Sequence, residues 1–345
     1  MSNCTINGMG LANKTRTFSA LGQNHTKINS VIKNAKMHHK KSKIMQIFVI
    51  FITICVIFVI IANPNKFIDS ARKGVFLWGN NVLPALFPFM CLTKILVGIL
   101  PKHKIKPSLY VFCLSVLSGY PIASKLLRDY YDKGMITTEY AKRVYSYSAT
   151  SGPIFVIGTV GVIFFNDIRV GVLIFVVHIV TALLTGILFG GFKKCDSKCL
   201  PYCDENINYG EIVSDSVFSS ITSILIVGAY IMVFYVLFDA IASVGIFNII
   251  TSLLAKLNIS SDLSFGVLSG IIELTRGLYQ LGAVGGKLAV AMSGGLISFS
   301  GLCILMQSYT FLHPVGVKFG YICMVKIIHA LLTFIGLALL LLCGI

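Results

Sequence analysis

Glu273 and Arg276 stand three residues apart in the run Ser269-Gly-Ile-Ile-Glu273-Leu-Thr275-Arg276-Gly277. On a helix that spacing puts both side chains on one face, where they can pair. Ionisable groups within an apolar stretch are costly at membrane depth and mark a pathway or binding site. On that reading they contact a solute or ion, with Ser269, Thr275 and the backbone near Gly270 adding hydrogen bonds. A second reading makes them an ion pair pinning a hairpin tip, and the sequence leaves both open.

A similar interruption occurs earlier, at Ser118-Gly119-Tyr120-Pro121. Pro121 cannot continue a hydrogen-bonded helix, and Gly119 permits a sharp turn. Such a break frees backbone polar groups, tolerated at depth only against protein or a wet cavity. Its half-helix terminus could bind charge; a plain turn at the membrane edge is the alternative. Ser151-Gly152-Pro153 begins the next apolar segment, and Gly294-Gly295 with Ser298 and Ser300 occupies the corresponding later one. Small residues in membrane helices serve close packing more often than ligand contact. Among single polar residues, Gln307 joins Glu273 as the leading choice, ahead of Gln280, Lys94, His178, Asp239, Lys326 and His329. The expected binding residues are thus Ser118, Gly119, Tyr120, Pro121, Ser151, Gly152, Ser269, Gly270, Glu273, Arg276, Gly295, Ser298 and Gln307.

Enzyme chemistry is not written in the chain: Walker A, HExxH, GxSxG and paired-carboxylate motifs are missing. No catalytic residue and no cofactor are expected. Cys195, Cys199 and Cys203 fall at spacings of four, which on a helix would align three thiols for zinc. Pro201 interrupts such a helix and no fourth ligand is evident, so reduced thiols are the expectation and no metal is assigned.

The elements positioning these residues follow from composition. Hydrophobic residues make up 56% of 345 and charged residues 12%, with mean hydropathy +0.84. A soluble domain carries about 25% charge, so the chain is a multi-pass membrane protein whose main partner is the bilayer. The net charge of +16 is uneven. Residues 1–43 hold eight Lys/Arg and no acid, a composition that cannot bury a core and reads as a disordered tail. Met37 and Met45 are alternative starts. Nucleic-acid binding would need basic residues on a folded surface and is not expected.

Ile44–Ala62 reads as a first, uncleaved transmembrane helix with its N-terminus in the cytoplasm. Residues 80–100, 169–191, 216–240 and 317–342 are further runs long enough to cross. Segments 108–120, 152–165 and 263–275 are shorter and broken at Gly or Pro, and 289–306 is intermediate. Short interrupted segments in corresponding halves point to a transporter site. The halves do correspond: Val116-Leu-Ser-Gly119 matches Val267-Leu-Ser-Gly270, and Ala182-Leu-Leu-Thr185 matches Ala330-Leu-Leu-Thr333. Asp69-Ser70 with Asp215-Ser216, Val97-Gly98 with Val244-Gly245, and Gly158 with Gly301 keep the same order.

The basic stretches 101–107, 122–150 and 193–212 belong inside, which gives each half three crossings and inverts the second. Lys66, Arg72 and Lys73 fall outside, where 65–79 would form an interfacial helix with Trp78 at the headgroups. The expectation is an all-α polytopic protein of two inverted repeats, 63–192 and 213–345, flanking a cytoplasmic Cys-containing loop at 193–212. It has about seven crossings and two re-entrant hairpins.

Leu83-Pro-Ala-Leu-Phe-Pro-Phe89, Ser118-Gly-Tyr-Pro121, Gly152-Pro-Ile-Phe-Val-Ile-Gly158, the Glu273 segment and Gly294–Gln307, in this order, resemble the YlbJ family of sporulation integral membrane proteins. The resemblance covers residues 44–342 and reaches the wider nucleoside-recognition gate class. One departure is the continuation Ile122-Ala-Ser-Lys125, where the family pattern has a small residue, Gly, Ala and Lys. The resemblance implies a multi-pass protein of the mother-cell or forespore membrane, needed for a resistant spore through its cortex. It implies no particular transported molecule. Two functions stand open: a permease for a small polar or nucleoside-like solute held between 108–121 and 263–277, or a non-transporting scaffold. Oligomeric state is left open.

Overall fold

The computed structural model describes residues 50–51, 53–99, 107–191, 208–256 and 259–344. The basic tail, the first six residues of the expected helix at 44–62, Lys102, Lys104, Lys106 and the three loop cysteines lie outside them. The chain divides into two compact units, Met1–Asn63 and Pro64–Ile345. In the first, α1 (Thr53–Ala62) is a short apolar helix.

The second unit is helical throughout, with no strand among its described residues. Its first half runs α2 (Pro64–Leu77), the π-helical turn π1 (Trp78–Val82), α3 (Leu83–Ile99), α4 (Pro107–Ser118), α5 (Ile122–Asp132), α6 (Thr138–Ser148), the π-helix π2 (Ile154–Phe164) and α7 (Ile168–Leu188). The second runs α8 (Tyr209–Ser243), α9 (Ile246–Ala255), α10 (Ser261–Ile272), α11 (Leu274–Val284), α12 (Gly286–Phe299), α13 (Gly301–Leu312) and α14 (Phe319–Leu342). The order recurs. A long helix, a pair broken at its tip, a second broken pair and a closing helix appear in each half.

Among the described residues five stretches are long and apolar enough to cross a membrane: Pro64–Leu96, Ile168–Leu188, Tyr209–Ser243, Gly286–Leu312 and Phe319–Leu342. Their exterior is apolar, and their interior mixes apolar with polar side chains. Val172, Val176, Val180 and Leu184 form an exposed stripe along α7, and Ile327, Leu331, Ile335 and Leu339 do the same on α14. The opposite faces bury His178, Thr181 and Thr185, and Lys326, His329 and Thr333. Large apolar side chains outward and polar ones inward is the pattern of a lipid-facing surface around a polar core.

Two expectations about span limits change. The first long helix begins at Pro64 rather than residue 80, because π1 joins α2 to α3 without a break. Lys66, Asp69, Arg72 and Lys73 lower the hydropathy of that end and hide the continuity from a sequence window. Trp78 packs on α8. Its indole donates to Ile224 O at 3.2 Å, and its ring lies where a Cβ on Gly228 would stand. The intermediate run 289–306 likewise belongs to a full span, Gly286–Leu312.

Direction distinguishes the halves. Phe189, just past α7, meets Tyr321 of the first turn of α14 edge-to-face at 5.8 Å. Deeper in, Val177 of α7 lies against Gly336 of α14. The two closing helices thus run antiparallel. Packing is also exchanged, since α13 rests on α5 while π2 rests on α11. Equivalent helices in opposite directions with swapped contacts are what an inverted duplication produces.

Candidate functional site

Four helix breaks organise the interior, two from each half. In the first half α4 ends at Ser118, and the chain passes through Gly119 (φ 75°) and a cis Tyr120–Pro121 peptide into α5. In the second α10 ends at Ile272, and Glu273 is both its cap and the N-cap of α11. Both α4 and α10 have 12 residues, and each break closes with the same bond at 2.7 Å, Gly119 N–H to Ser115 O and Glu273 N–H to Ser269 O. Glu273 is therefore the counterpart of Gly119, and the second Val-Leu-Ser-Gly lies within α10 rather than at its end.

The remaining breaks, residues 149–153 and Ser300-Gly301, separate α6 from π2 and α12 from α13. Each hairpin tip presses on the neighbouring break of its own half. A Cβ on Gly119 would lie 2.8 Å from Gly152 N, and one on Gly301 (φ 65°) 2.8 Å from Gly270 O. Only glycine allows such approaches together with positive φ.

Breaking four helices at depth exposes backbone groups that must find partners. The buried polar side chains supply them. Lys326 Nζ donates to Ala149 O at 2.7 Å and to the Tyr120 hydroxyl at 3.2 Å. That hydroxyl donates to Ile297 O at 2.9 Å. Ser151 N–H donates to His178 Nε2 at 3.0 Å, so His178 carries its proton on Nδ1 and donates to Ser298 Oγ at 2.7 Å. Ser298 and Thr181 each meet the Thr333 hydroxyl at 2.7 Å. His329 Nε2 donates to His178 O at 3.0 Å. The Glu273 carboxylate accepts from Thr275 N–H at 3.1 Å and Arg276 N–H at 2.7 Å, closing the first turn of α11.

Both tips, the break at 149–153 and the α13 residues Cys303, Ile304 and Gln307 surround a cavity of about 50 Å³. Its polar wall carries Ser118, Tyr120, Ser151, Glu273, Thr275 and Gln307, with the glycines Gly119 and Gly152 between them. Val82 and Leu86 on one side and Val227 and Ile231 on the other close it with apolar surface. In this conformation it has room for one or two water molecules, at roughly 30 Å³ each, and falls short of the ~300–1,000 Å³ of a small-molecule site.

The structure brings seven expected site residues to this wall: Ser118, Gly119, Tyr120, Ser151, Gly152, Glu273 and Gln307. Pro121 adjoins it as the N-cap of α5. Ser269 is buried in α10, and Gly270 packs so closely on α11 that a Cβ on Gly277 would lie 2.3 Å from Gly270 Cα. Gly295 lies against Phe334 of α14, and Ser298 bonds to His178 and Thr333. Arg276 is elsewhere. Its guanidinium pairs with Asp239 at 2.9 Å and lies over the Phe238 and Tyr235 rings at 4.1 and 4.7 Å. The expected Glu273–Arg276 side-chain pair does not form, because Glu273 ends one helix and caps the next, which turns the two side chains apart.

Lys326, His178, His329 and Asp239, placed behind Glu273 and Gln307 in the sequence reading, also make buried polar contacts: Lys326 and His178 serve the break at 149–153, Asp239 pairs with Arg276, and His329 bonds the His178 carbonyl within α7. Among the described residues no cluster of three metal-ligating side chains occurs.

No protein-family model and no solved structure matches the chain. It is similar to the protein named sporulation integral membrane protein YlbJ of Bacillus subtilis (strain 168), with 25% identity over 315 residues, covering 79% of this chain and 76% of that one. That similarity agrees with the motifs shared with the family and with the helical, lipid-facing architecture. The chain is a multi-pass integral membrane protein similar to the YlbJ protein of Bacillus subtilis.

Proposed function

We propose that this protein is a permease for a small polar solute, acting in a membrane of the sporulating cell. The observation that carries the reading is the convergence of helix breaks from both halves on one cavity to which each half contributes polar groups. Inverted repeats with discontinuous helices hold substrates near the bilayer midplane and expose them alternately by rocking one half against the other. Ser118, Ser151 and Gln307 would bond the solute, and Glu273 would sense it through the first turn of α11. The small closed cavity fits an occluded state, and a nucleoside-sized ligand would need it to widen. The name of the Bacillus relative supports a place in sporulation, and we infer a contribution to the resistant spore and its cortex.

The test is flux in proteoliposomes together with spore resistance in cells carrying Glu273→Gln. Loss of both, with normal protein levels, is expected. Full resistance from that variant and no flux of any sporulation metabolite would remove the reading.

One observation favours a scaffold instead. The Glu273 carboxylate is already engaged by two amides of its own helix. A scaffold predicts that apolar repacking of the cavity leaves sporulation intact.

A further inference from the structure

Two lysines with no ion-pair partner among the described residues lie on one side of the cavity. Lys94 of α3 donates to Ser219 Oγ at 2.8 Å and to Ser223 Oγ at 3.3 Å, and Lys125 of α5 donates to the same Ser219 oxygen at 3.1 Å. Sharing one acceptor brings the two ammonium groups within about 6 Å of each other, where like charges repel. Neither makes an ion pair among the described residues. Asp129, one turn further along α5, is exposed and forms none with Lys125. Ser219 accepts from both lysines, and its own hydroxyl proton has no acceptor among the described residues.

These groups lead to the cavity. Val82, Leu86, Met90 and Lys94 follow one another at intervals of four, as do Ser219, Ser223, Val227 and Ile231 on α8, so each set lies along one helix face. The inner members of both sets line the cavity. Lys125 lies one turn beyond the Tyr120-Pro121 tip.

The other hairpin shows what a balanced arrangement looks like. There Asp239, from the later half of α8, meets Arg276 of α11 at 2.9 Å, and Ser70 donates to Asp239. The later half of α8 corresponds to α3 and α11 to α5, so the same place in the first half holds two cations where the second holds a neutralised pair.

We propose that Lys94, Lys125 and Ser219 bind an oxyanion, a carboxylate or phosphate group, at the mouth of the cavity. On the permease reading, on which this step rests, the solute is an anion. The two ammonium groups would each donate a charge-assisted bond and the serine hydroxyl a third. A lipid headgroup carries the same chemistry, and the experiment separates the sources.

The test is acetylation of Lys94 and Lys125 by an amine-reactive reagent, read by mass spectrometry on the full chain in neutral phosphatidylcholine nanodiscs. Inorganic phosphate or succinate is compared with chloride at equal ionic strength. Either oxyanion is expected to slow both reactions several-fold, while Lys73, paired with Asp69 on the far side, reacts as before. Lys94→Gln should abolish protection of Lys125. Protection only when phosphatidylglycerol replaces the neutral lipid upholds the oxyanion site and assigns it to a headgroup. No protection by either ion or by that lipid overturns the proposal. Oxyanion protection without flux would retire the permease and keep the site; flux of an uncharged solute without protection would do the reverse.

Discussion

His178 and His329 stack on one another with ring centroids 4.8 Å apart and planes 24° from parallel. They lie in α7 and α14, the two closing helices that run antiparallel, so the stack forms where the halves cross; by the Ala-Leu-Leu-Thr correspondence the counterpart of His178 is Lys326. The rings are not equivalent in what they hold. His178 serves the break at Ser151 and the Ser298 hydroxyl, whereas His329 bonds the His178 carbonyl.

That difference predicts an order of severity. His178→Phe keeps a ring but strands the Ser151 amide and removes the Ser298 contact, at about 1–3 kcal/mol for each buried group left unpaired. His329→Phe removes one bond but strands no group, because the His178 carbonyl also accepts from the Thr181 hydroxyl at 3.1 Å, and it is expected to cost less. Thermal unfolding in detergent measures both, and the larger fall in Tm is expected for His178.

The Arg276 guanidinium makes its ion pair with Asp239 and not with Glu273. Asp239→Asn and Arg276→Gln should each destabilise by about 1.5–3 kcal/mol, with a coupling of about 1–2 kcal/mol between them in a double-mutant cycle. The cycle pairing Glu273→Gln with Arg276→Gln should show coupling near zero. A strong coupling in that second cycle would restore the side-chain pair expected from spacing.

Gly119 and Gly152 make a backbone contact that no side chain fits. Gly119→Ala adds positive-φ strain to a 2.8 Å clash with Gly152 N and is expected to cost more than Gly134→Ala, where φ is 66° but the space is open. Both have the same strain, so the difference in Tm isolates the contact between the tip and the second break.

Much of this architecture is legible before folding, because breaks and spans are written in local chemistry. Gly119 with Pro121 cannot be a helix interior, and the 21-residue α7 cannot be anything else in lipid. Partnerships are another matter. Lys326 reads as a snorkelling residue until Ala149, 177 positions away, turns out to need a donor. Glu273 and Arg276 share a face only if the helix continues, and Glu273 itself ends it. The π1 turn is hidden for a similar reason, since charges diluting one end of α2 say nothing about whether the backbone carries on. Long-range satisfaction of backbone groups decides these cases, and no window of sequence contains it.

Cys303 lies on the cavity wall and is 1% exposed, which makes it a native probe of opening. With the other nine cysteines replaced by serine, a membrane-impermeant thiol reagent applied from each side of oriented vesicles tests the central claim most directly. Alternating access predicts that Cys303 reacts from both sides, and more slowly when transported solute is present. No reaction from either side, in protein that folds and labels after denaturation, would contradict it and leave a closed helical scaffold.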